Sequence, residues 1–329
     1  MTSELFTTPV AVLGGSGFIG TRLVGRLIEV GRNPLIGDLQ PSQAFPDRSV
    51  ACDVRRADTL RSVLSGARAL INLAAEHRDD VRPISRYHET NVEGARQVCL
   101  AASEAGIQTI VFTSSAAVYG FQPFPVDESG PFQPFNPYGE TKFLAEGVYR
   151  EWAEKDSTRT LVILRPTVVF GEGNRGNVYN LLRQISSGRF VMVGPGTNRK
   201  SMAYVGNVAD ALVYSLTLGA GIHIFNYVDT PDMDMNGLVS MVNQSLGRAT
   251  INRRRIPIFL ALAGGHVLDA ISRISRHNFP ISAVRVRKFC ETTLFLADKI
   301  KDSGFKPRFS LSEGLDKTIR KEFQTPFNE

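Results

Sequence analysis

Tyr138 and Lys142 stand four residues apart at the start of a stretch with helical spacing. On a helix that separation puts both side chains on one face. A phenol titrates at about 10 in isolation and is a poor base at neutral pH. An ammonium group close by favours the phenolate, so the pair can take a proton from a hydroxyl group and give it back. Thr113-Ser114-Ser115 closes an apolar run upstream, with Ser115 23 residues before Tyr138. If that run is a strand of a parallel sheet, Ser115 lies at the carboxyl end, where such sheets bind ligands, and can hydrogen-bond the same hydroxyl. The predicted catalytic set is Ser115, Tyr138 and Lys142, and the chemistry is acid–base work on an alcohol or a ketone.

A second constellation lies near the N-terminus. Gly14-Gly15-Ser16-Gly17-Phe18-Ile19-Gly20 follows a short apolar run and opens a segment with Ile19, Leu23, Leu27 and Val30 at helical spacing. In that context Gly14 permits a tight turn, Gly17 lets backbone N–H groups approach a pyrophosphate, and Gly20 lets helix and strand pack closely. The helix N-terminus adds a favourable dipole for phosphate. Asp38 ends the next apolar run, 18 residues beyond Gly20. An acid there accepts hydrogen bonds from the adenosine ribose and repels an additional 2′-phosphate. No Lys or Arg lies between Asp38 and Asp47, so NAD is favoured over NADP. Asp53 follows the third apolar run and can bind the adenine amino group, although alone it is equally a turn residue.

The elements that must hold these residues read as an alternation. Strands are predicted over 9–13, 35–37, 49–52, 69–73, 109–113, 161–164 and 222–228. Helices are predicted over 18–30, 86–105, 138–153, 177–187 and 208–218. Strands alternating with helices mean a parallel sheet covered on both faces. The expected fold is α/β, a Rossmann-type doubly wound parallel sheet with a smaller, mixed C-terminal substrate-binding region. The NAD-binding domain is expected over 1–170, with 204–230 returning to it. The substrate-binding domain is expected over 171–203 and 231–329.

Composition is that of an ordinary globular chain of 329 residues, 43% hydrophobic and 21% charged. The net charge of +6 suits an anionic ligand or an anionic surface, and equally a solvated basic exterior. The densest cluster, Arg253-Arg254-Arg255, is too short to predict nucleic-acid binding. Cys52, Cys99 and Cys290 are odd in number and far apart, which is neither a disulfide framework nor a metal-ligand spacing, and a cytoplasmic protein without a metal is expected. Glu4 and the lack of an apolar core argue against a secretion signal at the N-terminus. Residues 256–268 are apolar and uncharged but too short to span a bilayer. A core helix is expected there, with a membrane-surface segment as the alternative.

Further motifs carry a family resemblance. They are Asp53-Val54, Asn72-Leu73-Ala74-Ala75, Asn91, Ser114-Ser115-Ala116-Ala117-Val118-Tyr119-Gly120 and Tyr138-Gly139-Glu140-Thr141-Lys142. Arg165-Pro166-Thr167-Val168-Val169-Phe170-Gly171, Asn207-Val208-Ala209-Asp210-Ala211, Gly304-Phe305-Lys306-Pro307 and Glu313-Gly314-Leu315 continue the series. With the glycine motif and Asp38, the chain resembles the extended short-chain dehydrogenases over nearly its whole length, and within them the nucleotide-sugar epimerase/dehydratase family. The resemblance implies chemistry at C4 of a sugar carried on a nucleotide diphosphate. Tyr138 would take the C4 hydroxyl proton, Lys142 would lower the tyrosine's pKa and bind the nicotinamide ribose, and Ser115 would hold the C4 oxygen. It implies cofactor contacts by Gly14, Ser16, Gly17, Phe18, Ile19, Gly20, Asp38, Asp53, Val54, Leu73, Ala74, Ala75, Asn91, Thr113, Tyr138, Lys142, Pro166 and Val168. Substrate contacts are implied for Ser115, Thr167, Asn177, Arg199, Lys200 and His77, the last being better read as a hydrogen-bonded loop histidine.

Departures from the family pattern narrow the field. The 4,6-dehydratases carry Asp-Glu where this chain has Ala116-Ala117, and elimination of water needs that acid and base, so dehydration is disfavoured. Thr167 stands where UDP-galactose 4-epimerases have Asn, and Lys200 where they have Arg; lysine supplies charge without a bidentate fork. The leading expectation is an NAD-dependent 4-epimerase of a UDP-hexose or UDP-N-acetylhexosamine. A UDP-4-keto-sugar reductase of surface polysaccharide synthesis is the alternative. A steroid-type hydroxy dehydrogenase and a non-catalytic NAD sensor follow. The resemblance also implies a homodimer built on the helices at 86 and 138.

Overall fold

The computed structural model describes residues 9–78, 80–248, 255–275 and 283–324; the expectations placed on Glu4, Arg253 and Arg254 lie outside these. The chain divides into two compact units, one made of Met1–Val169, Ala203–Asp229 and Phe295–Phe309, the other of Phe170–Met202, Thr230–Leu294 and Ser310–Glu329.

The first unit is built on seven parallel strands. They are β1 (Pro9–Leu13), β2 (Asn33–Asp38), β3 (Ser49–Ala51), β4 (Ala69–Asn72), β5 (Thr109–Thr113), β6 (Thr160–Pro166) and β7 (Gly221–Tyr227). Their spatial order is β7-β6-β5-β4-β1-β2-β3, every neighbouring pair parallel. Strand order reverses between β1 and β4, so their carboxyl ends diverge and leave a crevice for a ligand.

Alternation along each strand sends side chains to two cores. Ala11, Leu13, Leu70, Ile110, Phe112, Leu161 and Ile163 face one side. There they meet Leu60, Val63 and Leu64 of α2 (Ala57–Leu64), Ala95 and Val98 of α3 (Gly94–Glu104), and Ala145 and Tyr149 of α4 (Pro137–Glu154). Val10, Val12, Ile36, Ile71, Val111 and Val162 face the other side, against Leu23, Val24 and Leu27 of α1 (Phe18–Glu29) and Val208 and Leu212 of α5 (Val205–Ser215). Each of these large side chains contributes about 1.5–3 kcal/mol by leaving water. Helix α2 was not expected from the sequence, although Leu60, Val63 and Leu64 stand at helical spacing; at eight residues it forms because it packs. The long helix expected over 86–105 is interrupted by a π turn over Glu89–Glu93, between Ser85–His88 and α3.

In the second unit, helices Asn177–Ser186 and Leu311–Ile319 pack on helix Met235–Ser245. Ser310 and Glu313 cap the last of the three reciprocally. Arg199–Lys200 pairs with Met233–Asp234 in an antiparallel ribbon, and Arg255–Ile256 runs parallel to Met192–Val193. The apolar segment at 256–268 corrects the expectation of a core helix. It is helical, as α6 (Ile258–Ser275), but Phe259 is 68% exposed, Val267 59% and Leu260 52%.

Candidate active site

Cradle geometry at the end of β1 dictates two of the glycines. Gly14 has φ +76°, and a β-carbon on it would lie 2.7 Å from the Ala74 amide nitrogen. A β-carbon on Gly20 would lie 2.4 Å from the Gly14 carbonyl oxygen. Gly17 is different. Its φ is −73°, and its nearest would-be contact is 3.4 Å away, so nothing in the chain itself demands glycine there. It is the N-cap of α1, and no side chain caps that helix. Open amides beside a bare backbone suit a pyrophosphate. Asp38, at the end of β2, turns toward the same loop: Oδ2 accepts the Ser16 amide at 3.0 Å and Oδ1 the Gln40 amide at 3.2 Å. The loop after β4, carrying Leu73, Ala74 and Ala75, lies against Gly14. These residues fit a dinucleotide.

Asp53 and Val54 play parts that spacing did not reveal. Asp53 is chelated by the Arg55 guanidinium at 2.6 and 2.9 Å, which holds its carboxyl below the usual range. Val54 is buried, its methyl group closing on Gly94 of α3. Asn91, inside the π turn, is a clamp. Its Oδ1 accepts the Glu76 amide at 2.8 Å, and its Nδ2 donates to the Glu76 carbonyl at 3.0 Å and to Thr141 Oγ1 at 2.9 Å. It therefore ties the loop after β4 to the helix that bears Tyr138 and Lys142.

Backbone packing fixes the trio predicted to be catalytic. Ser115 is extended and caps the short turn Ala116–Tyr119, accepting the Ala117 amide at 3.1 Å. Asn136 caps α4 by accepting the Gly139 amide at 2.9 Å, with Pro137 in its first turn. Gly139 abuts that short turn so closely that a β-carbon would sit 2.5 Å from the Ala117 carbonyl oxygen. This contact sets Tyr138 beside Ser115, and the two side chains share a hydrogen bond. Lys142, one turn on, is 2% exposed, with Nζ 4.2 Å from the centre of the Phe112 ring.

Electrostatics differ from the expectation that Lys142 lowers the phenol's pKa. Burial pushes the Tyr138 phenol up, and the Ser115 hydrogen bond opposes that rise. Burial also pulls the Lys142 ammonium down to about 7, against the pull of the Glu146 carboxylate. Both shifts have one cause, since a low-dielectric surrounding penalises whichever form is charged. An amine held near neutrality exchanges its proton readily at working pH.

Behind the trio lies a network that the sequence reading missed. Glu146 continues the Tyr138–Lys142 face by one more turn and is 1% exposed. It accepts Ser114 Oγ at 2.6 Å and forms a forked pair with Arg165, at 2.8 Å from Nε and 2.5 Å from Nη2. Arg165 also donates to Tyr119 Oη at 2.6 Å, and that hydroxyl donates to Asn226 Oδ1 at 2.6 Å. The available signal was an acid eight residues after Tyr138 on the same helix face.

Two hydroxyls at adjacent strand ends, Thr113 Oγ1 and Thr167 Oγ1, are buried without a hydrogen-bond partner. Both residues were predicted to touch ligand. A buried hydroxyl left without a partner is costly and rare, and these two suit a polar ligand at the carboxyl edge of the sheet. Pro166 ends β6, while Val168 is 42% exposed. His77 is an exposed loop residue with Nδ1 3.5 Å from the Ala75 carbonyl oxygen, in line with the structural reading. The second unit holds Asn177, exposed in the first turn of its helix, together with Arg199 and Lys200 on the antiparallel ribbon. Lys200 Nζ donates to Thr293 Oγ1 at 3.1 Å, and burial lowers its pKa.

Comparison with known proteins agrees with this geometry. The chain is 48% identical, over 95% of each chain, to the N-acetyl-alpha-D-glucosaminyl-diphospho-ditrans,octacis-undecaprenol 4-epimerase of Escherichia coli O157:H7. It is 28% identical to a UDP-glucose 4-epimerase of Lactobacillus helveticus, over 63% of this chain and 71% of that one. Among solved structures, MoeE5 in complex with UDP-glucose and NAD is similar, with 25% identity, a TM-score of 0.73 and coverage of 95% of this chain and 97% of that one. The model of the NAD dependent epimerase/dehydratase family matches residues 10–226, which carry the glycine cradle, Asp38, Ser115, Tyr138 and Lys142. The chain belongs to the NAD dependent epimerase/dehydratase family.

Proposed function

We propose that this protein is an NAD-dependent 4-epimerase of an N-acetylhexosamine held through a diphosphate, with a polyprenol as the carrier. The observation that carries the reading is the 48% identity, spanning 95% of both chains, to an epimerase named for that substrate. A nucleotide carrier is the second reading, favoured by the similar structure solved with UDP-glucose and NAD. Both carriers present the same diphosphate-linked sugar to the site.

Bound NAD supplies the hydride acceptor for C4 and, once reduced, the hydride donor. The glycine cradle and the N-terminus of α1 hold its pyrophosphate, and Asp38 holds the adenosine ribose. Tyr138 Oη takes the C4 hydroxyl proton as C4 is oxidised to a ketone. It returns a proton to that oxygen after the sugar has presented its other face. Ser115 orients the phenol and the C4 oxygen together. Lys142, one helical turn from Tyr138, supplies a proton reserve, and Thr113 and Thr167 offer their free hydroxyls to ligand. Unpaired Cys52, Cys99 and Cys290 suit a reducing, cytoplasmic setting. The exposed Leu100, Phe143 and Leu144 on α3 and α4 support a homodimer built on those helices. A monomer in light scattering at working concentration would overturn the dimer.

The test incubates purified protein, without added cofactor, with polyprenyl-diphosphate-GlcNAc and separately with UDP-GlcNAc, and measures the C4 epimer by chromatography. Turnover on at least one is expected, with the lipid-linked sugar preferred, and Tyr138→Phe should lower it by roughly 10²–10⁴-fold. Absence of the epimer from both substrates would overturn the epimerase reading. So would a stoichiometric demand for reduced cofactor with a 4-keto sugar, which marks a reductase.

A further inference from the structure

The exposed apolar side of α6 and its basic flanks have no part in C4 chemistry. Leu260 and Val267 are seven residues apart, and Phe259 and Val267 eight, so the three share one side of the helix. Ile256 and Ile258, each 39% exposed, stand at the entry to the helix, with Ile258 closing on Gly194. The helix is not adrift there. Ile256 pairs with Val193, the Gly194 amide donates to the Ile256 carbonyl at 2.9 Å, and Arg255 donates to Asn236 Oδ1 at 2.9 Å. Its apolar side is therefore held outward by a fixed base.

Charge identifies the partner. Between positions 248 and 290 the chain carries nine Lys or Arg and one acid, Asp269. The rest of the chain holds 29 basic and 31 acidic residues, so the whole net positive charge comes from this segment. A second copy of the chain is a poor partner, because a two-fold interface would set the patch against itself and like charges would repel. Among the described residues no helix is long and apolar enough to cross a membrane. Exposed Phe and Leu next to arginines, on a helix that is not long and apolar enough to span, match a segment that lies in the headgroup region.

We infer that α6 and its basic flanks dock this protein on an anionic lipid surface. The inference stands whichever carrier the substrate has.

Flotation of the full chain with vesicles of phosphatidylglycerol and phosphatidylethanolamine, against phosphatidylcholine vesicles, tests it. Binding to the anionic vesicles at least roughly 10-fold above the neutral ones, weakened by added salt, is expected. Phe259→Glu with Leu260→Glu should lower that binding at least roughly 10-fold, with melting temperature and turnover of a water-soluble substrate unchanged. Phe259→Trp gives a gentler second readout, since the chain's one other tryptophan, Trp152, is buried. Its fluorescence should shift to shorter wavelength on anionic vesicles and be quenched by brominated lipid. No flotation on any vesicle, binding unchanged in the double variant, or unshifted Phe259→Trp emission would each overturn the inference. Loss of dimer in the double variant without loss of vesicle binding would assign the face to a second copy instead.

Discussion

The face of α4 that points to β5 and the outer side of α6 break the ordinary rule of burial in opposite directions. On α4, Lys142, Glu146 and their partner Arg165 are charged groups at 2% exposure or less. On α6, Phe259, Leu260 and Val267 are apolar groups more than half exposed. Ionisable side chains are rarely buried whole, and contiguous large apolar ones are rarely left open. Each exception costs stability by itself, and each is met by a local device. For α4 it is a fork of hydrogen bonds between Glu146 and Arg165, with Ser114 and Tyr119 satisfying what remains. For α6 it is a strand pairing and an arginine contact at one end of the helix. The inward exception fixes the helix face that carries Tyr138 and Lys142. The outward one presents a surface to something the chain does not contain.

Glu146→Gln should have the largest effect, because it leaves the Arg165 charge buried and unpaired. A loss of about 3–5 kcal/mol in urea unfolding is expected. Replacing both partners, Glu146→Leu with Arg165→Met, should recover most of that loss, since an apolar pair of similar volume needs no counter-charge. If the single variant unfolds no more easily than the parent, the buried pair is not what holds the α4 face. Lys142→Met should have a smaller effect of the opposite sign on stability, while removing most activity. The native lysine titrates at about 7, below the value of an unfolded lysine. The native state therefore binds fewer protons between those two values, and the parent gains stability as pH rises through that window. Lys142→Met should melt higher than the parent by the widest margin below pH 7, with the margin closing toward alkaline pH. A margin independent of pH would show that burial does not shift the titration of Lys142 away from that of an unfolded lysine. At the bottom of the scale, the substitutions at Phe259 and Leu260 should leave melting unchanged, as an exposed side predicts.

Much of this was legible from the sequence because it is local. Thr109–Thr113 was read as a strand and α1 as a helix following a glycine turn, since each stabilises itself through short-range spacing. Ser115, Tyr138 and Lys142 could be named as candidates because a strand end and a four-residue helical step are local features, whereas the close contact of Gly139 with Ala117 that brings Tyr138 to Ser115 is tertiary. Asp53 was harder. An acid after a strand suits a nucleotide, and its pairing with Arg55, two residues on, is visible only in the structure. Helix α6 was read correctly as a helix and wrongly as core, because periodicity describes which side is apolar and not what covers it.

By itself, the sequence determined which residue types stand at which spacing. That sufficed for the parallel sheet, the positive-φ glycine at position 14, the acid at the end of β2 and the tyrosine–lysine face. Tertiary structure alone decided which of those groups leave water. Burial is set by segments remote along the chain: Arg165 reaches Glu146 from another element, and Asn91 reaches Thr141 from 50 residues away. The protonation of Lys142, the orphaned hydroxyls of Thr113 and Thr167 and the uncovered side of α6 all follow from that. Desolvation is a property of everything packed around a group, and no window of sequence contains it.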